Sequence, residues 1–192
     1  HDWLKKHMPD DGSVRFQNLT GALGVLVVAG PKSRELLQRV SDTDFSSAAF
    51  PWLTGQEIIV GLALAMALRV NFVGELGWAL HFPIEYAHHL FDALFAAGEE
   101  FGIGMVGMRA MESMRIEKSY RMWGSDLTPE YTPFESGLDR FVRMDKGEFI
   151  GKAALARQLA AGVPHRFVTL EVHGVIDADP LAQVGEAVLR VV

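Results

Sequence analysis

"RVNFVGELGWALHF", Arg69 to Phe82, carries the decision about the fold. The stretch alternates like a β-strand, yet Gly74 and Gly77 break it around a lone carboxylate, Glu75. Two readings stand open: a tight hairpin, or a backbone that must lie close to a ligand, where glycine leaves room. The segment after the break, "GWALHF", reads as a strand, and "QEIIVG" and "LAMALRVNF" before it read as two more.

Working outward, "PIEYAHHLFDALFAAG" is an amphipathic helix with Pro83 at its start and Gly98 just past its end. Upstream, "DWLKKHM" ends a short helix, "SVRFQNLT" alternates as a strand, and "GALGVLVVAG" reads as a buried strand closed by Gly30. Pro31 then opens the helix "PKSRELLQRV", with Leu36, Leu37 and Val40 facing inward. The order strand–helix–three strands–helix contains half of a split βαβ arrangement. The expected class is therefore α+β: a ferredoxin-like antiparallel sheet with packed helices.

A second helix is expected from about Gly107 to Lys118. After it, "SYRMWGSDLTPEYTPFESGL" is dense in turn residues and aromatics, the composition of a functional loop rather than a connector. "GKAALARQLAAG" forms a last helix, and "RFVTLEVHG" and "EAVLRVV" read as strands. These place a domain over residues 1–164 and the start of a small, truncated β domain over 165–192.

Composition removes several function classes. The 192 residues carry a net charge of −6 with no clustered Lys/Arg stripe, which argues against nucleic acid as a partner. The absence of cysteine excludes disulfides, thiolate-bound zinc and a thiol nucleophile, and fits a reducing compartment. The apolar runs "ALGVLVVAG" and "VGLALAMAL" are too short to span a bilayer, and the polar start "HDWLKKHMPDDG" is unlike a signal peptide. No GxSxG occurs. "GIGMVG", Gly102–Gly107, imitates a phosphate loop but lacks the preceding strand, so a tight turn between helices is the competing reading. Glu85 and His89 have metal-ligand spacing, against a solvated helix face. Glu112 with Arg115 reads as a helix ion pair, and Arg115 with Glu117 as a buried network or a ligand-binding pair. Tyr120, Trp123, Tyr131 and Phe134 offer either walls for a flat heterocycle or loop packing.

"VNFVGELGWALHFP", "SMRIEKSYRMWGSDLTPEYTPFESGL", "KGEFIGKAAL" and "NLTGALGVLVVAGPKSRELLQ", taken together and in this order, resemble the aminomethyltransferase (glycine-cleavage T-protein-like) family. The resemblance is greatest to the folate-binding part of dimethylglycine and sarcosine dehydrogenases. It implies that tetrahydrofolate accepts a one-carbon unit from an N-methylglycine-type amine. It also implies FAD if an oxidase domain precedes the chain, and such a domain or subunit as partner. The implied compartment is the cytoplasm, or the mitochondrial matrix in a eukaryote.

The resemblance transfers site residues unevenly. The family's acidic residue, an Asp beside the reacting folate nitrogens, falls before His1, so no catalytic residue is assigned within the chain. The implied folate contacts are Phe72, Glu75, Ala79, Leu80, His81 and Tyr120. Phe72 stands where related dehydrogenases often have Tyr. Ala79 stands where "GELGWEL" has its pterin-binding carboxylate, which removes a bidentate acceptor. Tyr120 retains the Tyr of "EKGY", here written "EKSY". A folate-binding or scaffold paralogue without turnover is the alternative, and a demethylase acting on a sulfonium donor is a third.

Overall fold

A computed structural model describes residues 1–173 and 188–191. They divide into two compact units, His1–Glu112 and Ser113–Val192.

The first unit is built on four strands: β1 (Leu23–Ala29), β2 (Gly55–Val60), β3 (Ala63–Leu68) and β4 (Gly77–Pro83). Their spatial order is β1-β4-β3-β2 with every pairing antiparallel, so β4 lies between β1 and β3, which are parallel to each other. α1 (Asp2–Lys6) precedes the sheet, α2 (Ser33–Val40) follows β1, and α3 (Ala87–Gly98) follows β4 through a 3-10 turn at Ile84–Tyr86. The expected α+β class with helices packed on an antiparallel sheet is what the chain adopts.

Alternation in the strands separates two faces. One carries Ile58, Val60, Ala63, Ala65, Ala67, Trp78, Leu80 and Phe82, and packs with Leu36 and Leu37 of α2, Leu90 and Leu94 of α3, and Phe45 and Phe50. Full burial of a Leu or Phe side chain contributes about 1.5–3 kcal/mol, so this layer dominates the stability of the unit. Small alanines on β3 let the helices approach closely. The other face keeps the bulky residues: Val27 is 60% exposed and Leu64 53%, with Leu23, Val25, Ile59 and Met66 also exposed.

Four local expectations change. Val14–Thr20 forms no strand; its side chains are exposed, and the Asn18 carboxamide accepts from Thr20 N (3.0 Å) and Oγ1 (2.7 Å), curling the backbone into a turn. β1 is not buried on both faces: Leu26 and Val28 pack against the core, while Leu23, Val25 and Val27 on the opposite face are exposed. β3 stops at Leu68, so Arg69–Phe72 lies outside the sheet. Gly98 lies inside α3, and the helical path continues through Glu99–Phe101 to Gly102, whose left-handed φ of 72° ends it.

α4 (Met108–Glu117) crosses the division into the second unit. There the chain forms an extended loop, α5 (Lys152–Ala161), and the antiparallel pair β5 (Leu170–His173) and β6 (Val188–Val191). Of the expected strand "EAVLRVV", Glu186, Ala187 and Val192 lie outside the described residues. Among the described residues no helix is long and apolar enough to cross a membrane.

Candidate functional site

β4 carries Ala79 and His81 on the face of the sheet away from the helices, where Ala79 is buried between its neighbours (8% exposed) and His81 is half-buried. Ala79 is flanked by Val27 on one side and Leu68 on the other; His81 is flanked by Val25 and Met66. The result is a flat apolar floor with one imidazole in its middle and Glu57 at its margin, across from Met66. Leu80 points the opposite way, fully buried among the core residues under the helices, so it packs the sheet.

The glycines of the opening stretch answer to the protein itself. Gly74 takes a left-handed φ of 74°, which its position in the turn requires. A Cβ at Gly77 would lie 2.7 Å from both Val28 O and Asn71 Nδ2, and 3.1 Å from Ala29 Cα. Gly77 is thus needed by the close passage of β1's backbone, not by a ligand. The turn is stapled by Asn71, whose Nδ2 donates to Glu75 O (2.8 Å) while its Oδ1 accepts from Val73 N (2.7 Å). Glu75 projects from this turn as an exposed carboxylate, and Phe72 is partly exposed beside it in sequence. Because β4 begins only at Gly77, no strand register joins Glu75 to the face of Ala79.

Trp78 belongs to the core. Its ring meets Phe45 (5.4 Å) and Phe50 (6.0 Å) edge-on, with the Arg34 and Arg69 guanidiniums 5.9 and 5.7 Å from its centroid. Arg69 is held by donating from Nη1 to Phe50 O (2.6 Å). His89, half of the spacing considered for a metal, is engaged instead in the β2–β3 hairpin: Leu62 N donates to its Nε2 (3.0 Å). No metal-binding cluster is found among the described residues. A groove lined by Arg34, Glu35, Gln38, Arg39, Asp44, Ser46 and Phe101 lies on the helix side of the sheet with mixed charge.

In the second unit, α4 ends in a Schellman arrangement: Ser119 N donates to Ile116 O (2.9 Å) and Tyr120 N to Arg115 O (2.9 Å). Ser119 occupies the left-handed position, φ 60°, usually reserved for glycine. Arg115 is 2% exposed. Its Nη1 donates to Tyr120 O (2.7 Å) and to Asp126 Oδ2, which also accepts from Met122 N (2.8 Å). The expected partner Glu117 is exposed, and the carboxylate that Arg115 bonds lies outside its helix, at Asp126. Tyr120 itself is 39% exposed, Trp123 and Tyr131 are exposed, and Phe134 is buried.

Sequence reasoning missed a second feature of this loop. Thr132 and Glu135 form a capping box: the Glu135 carboxylate accepts from Thr132 N and Oγ1 (both 2.9 Å), and Glu135 N donates to Thr132 Oγ1 (3.2 Å). The Thr-Pro-Phe-Glu spacing was its legible signal. Hydrogen bonds from Thr132 N and then from its hydroxyl hold the Glu135 carboxyl below its ordinary value of 4.5. The Glu135 carbonyl accepts from Phe167 N (2.7 Å), tying residue 167 to the loop. Asp126 had no comparable signal, since its partner lies a loop away.

The GCVT N-terminal domain family matches residues 1–146. The chain is 38% identical over 184 residues to the mitochondrial dimethylglycine dehydrogenase of Homo sapiens, covering 94% of this chain and 21% of that protein. It is 42% identical over 151 residues to the mitochondrial sarcosine dehydrogenase of Mus musculus, covering 78% and 16%. It is also 34% identical over 158 residues to an aminomethyltransferase of Thermoanaerobacter sp. (strain X514), covering 82% and 43%. The chain thus spans about a fifth of the length of the dehydrogenases it matches.

Proposed function

The chain belongs to the GCVT N-terminal domain family, and from that premise we propose that it binds tetrahydrofolate and serves one-carbon transfer from an N-methylglycine-type amine. The full protein in this reading is a dimethylglycine or sarcosine dehydrogenase-like enzyme, with FAD in a separate domain or subunit that oxidises the amine. Its compartment is the cytoplasm, or the matrix in a eukaryote. Residues 1–164 are assigned to the folate-binding domain and 165–192 to the start of a β domain.

The observation that supports this reading is the open apolar face of the sheet around Ala79 and His81. A pteridine is flat, and needs an apolar floor with a few fixed polar groups at its rim. Val25, Val27, Met66 and Leu68 supply the floor. Ala79 supplies space without an acceptor, and the His81 ring nitrogen is the polar group nearest to it on the strand. Glu75 and Phe72, on the turn that precedes β4, are assigned to the rim; Tyr120, which belongs to the second unit, is kept as a separate folate contact on the strength of the resemblance. Tetrahydrofolate supplies the nucleophilic nitrogens that take up the one-carbon unit; the chain's own part is to orient the ring and exclude water.

The test is a titration of tetrahydrofolate into the protein, followed by tryptophan fluorescence. Saturable binding, tightened by Ala79→Glu and weakened by Tyr120→Phe, is expected. Saturable binding indifferent to both substitutions would remove the assigned contacts, and no binding would remove the folate reading. In that last case the second reading, a scaffold paralogue without turnover, gains; the missing carboxylate at Ala79 is what favours it.

A further inference from the structure

We propose that Arg115 and Asp126 are positioning residues that hold Tyr120 in its place after α4, an inference that rests on the reading of Tyr120 as a ligand contact. The main chain of Tyr120 is held at both ends by one residue: its N–H donates to Arg115 O and its C=O accepts from Arg115 Nη1 (2.7 Å). The same guanidinium nitrogen donates to Asp126 Oδ2, and that oxygen also accepts from Met122 N (2.8 Å). One buried arginine and one carboxylate therefore pin residues 120 and 122 together. The intervening backbone turns through Asp126 N and Leu127 N, both donating to Met122 O (2.9 and 3.0 Å).

Three features point to positioning rather than to stability alone. The pair is almost dry, with side-chain exposures of 3% for Arg115 and 20% for Asp126. Burying two charges is weak evidence for stability, because an apolar pair of similar volume is often as stable. Next, the residue before Tyr120 is held in a left-handed conformation that serine adopts reluctantly. Such strain persists where the surroundings over-determine the backbone, and it concentrates at functional sites. Finally, the clamp acts on main-chain atoms and leaves Tyr120 an exposed residue, at 39%. A rigid backbone carrying an accessible phenol is the arrangement expected for a residue that stacks on a ligand and offers it a hydroxyl.

The test uses two readouts and two variants. Asp126→Asn keeps an acceptor for Met122 N but removes the charge facing Arg115. The double replacement Arg115→Met with Asp126→Leu keeps an apolar fill, so a folded variant exists even if the first is unstable. The first readout is the ring resonances of carbon-13-labelled tyrosine; the chain has three tyrosines, assigned by single Tyr→Phe changes. The Tyr120 resonance is expected to shift or broaden in both variants while that of Tyr86 stays. An unmoved Tyr120 resonance overturns the proposal.

The second readout is tetrahydrofolate affinity in the Tyr120 and Tyr120→Phe backgrounds, well below each variant's unfolding midpoint. If the clamp keeps Tyr120 competent, a drop of the competent fraction to a tenth weakens binding about tenfold. The same change in the Tyr120→Phe background then costs less than about twofold further, since residues acting through one contact do not add. Equal losses in both backgrounds mean that the pair acts elsewhere, and overturn the proposal. Should the unaltered protein bind no tetrahydrofolate, the folate reading fails, and the Tyr120 resonance alone then upholds or overturns the clamp.

Discussion

Replacing Ser119 by glycine should stabilise the protein, although no contact is gained. Ser119 sits at φ 60°, one residue past the last full turn of α4 and its flanking Lys118. A left-handed conformation costs an L-residue about 1–2 kcal/mol, because Cβ crowds the following carbonyl. Glycine escapes that cost but loses more backbone freedom on folding, an opposing penalty of about 0.5–1 kcal/mol. At the middle of both ranges the difference favours Ser119→Gly by about 0.75 kcal/mol. The serine side chain is exposed, so its removal uncovers nothing. For a chain of this length 1 kcal/mol moves the thermal midpoint by about 2–4 °C, so a rise of about 1.5–3 °C is expected. Differential scanning calorimetry at neutral pH measures it. Ser119→Asn should fall between the two, since Asn tolerates the left-handed region, and Ser119→Val should lower the midpoint. A glycine variant at or below the serine protein would refute the reasoning, because the helix end would then not be strained by its residue type. The resemblance to "EKGY" places a glycine at this position, so the serine is a local departure with a measurable consequence.

Other substitutions probe the remaining features. Gly77→Ala puts a methyl 2.7 Å from Val28 O, a backbone atom that cannot swing away, and should cost about 2 kcal/mol or more by urea denaturation; a change under about 0.5 kcal/mol would mean β1 and β4 can part there freely. Val27→Lys, on the open face, should change stability by less than about 0.5 kcal/mol yet weaken tetrahydrofolate binding by charging the floor beside Ala79. A large loss of stability would show that the face is covered in solution. Glu135 has a carboxyl lowered by its bonds to Thr132, so its stabilisation is complete above about pH 4.5 and is lost as the pH falls through the lower folded-state value. Glu135→Gln should therefore flatten the fall of the unfolding midpoint below pH 4.5; an unchanged acid limb would remove the capping box as its cause.

Strands β2, β3 and β4 were legible as short apolar runs set between turn residues, and helices α2, α3, α4 and α5 by their apolar period and the Pro or Gly near their ends. The site was legible in part. Ala79 and His81 alternate with Leu80, and that period of two separates floor from core once the strand is known. Arg115 was recognisable as a candidate for burial, but not its bond to Asp126, which needs the loop to fold back. The capping box at Thr132 and Glu135 has a legible Thr-Pro-Phe-Glu spacing, but it sits in a segment whose turn residues read as loop.

By itself the sequence determined local preference: where most strands and helices run, that the chain breaks at Gly74 and Gly77, and that charge and composition argue against nucleic acid. Only the tertiary structure decided which way things face. "ALAMAL" in β3 is apolar at every position, so its alternation cannot say which side is inside. The helices settle it, because the alanines allow close approach and so turn Leu64 and Met66 outward. The same holds at Gly77, where strand order brings β1's backbone within reach, and at Tyr120, where a buried guanidinium finds its carboxylate across a loop. Periodicity is a property of neighbours in the chain; which face is covered, and what a buried charge meets, are properties of neighbours in space.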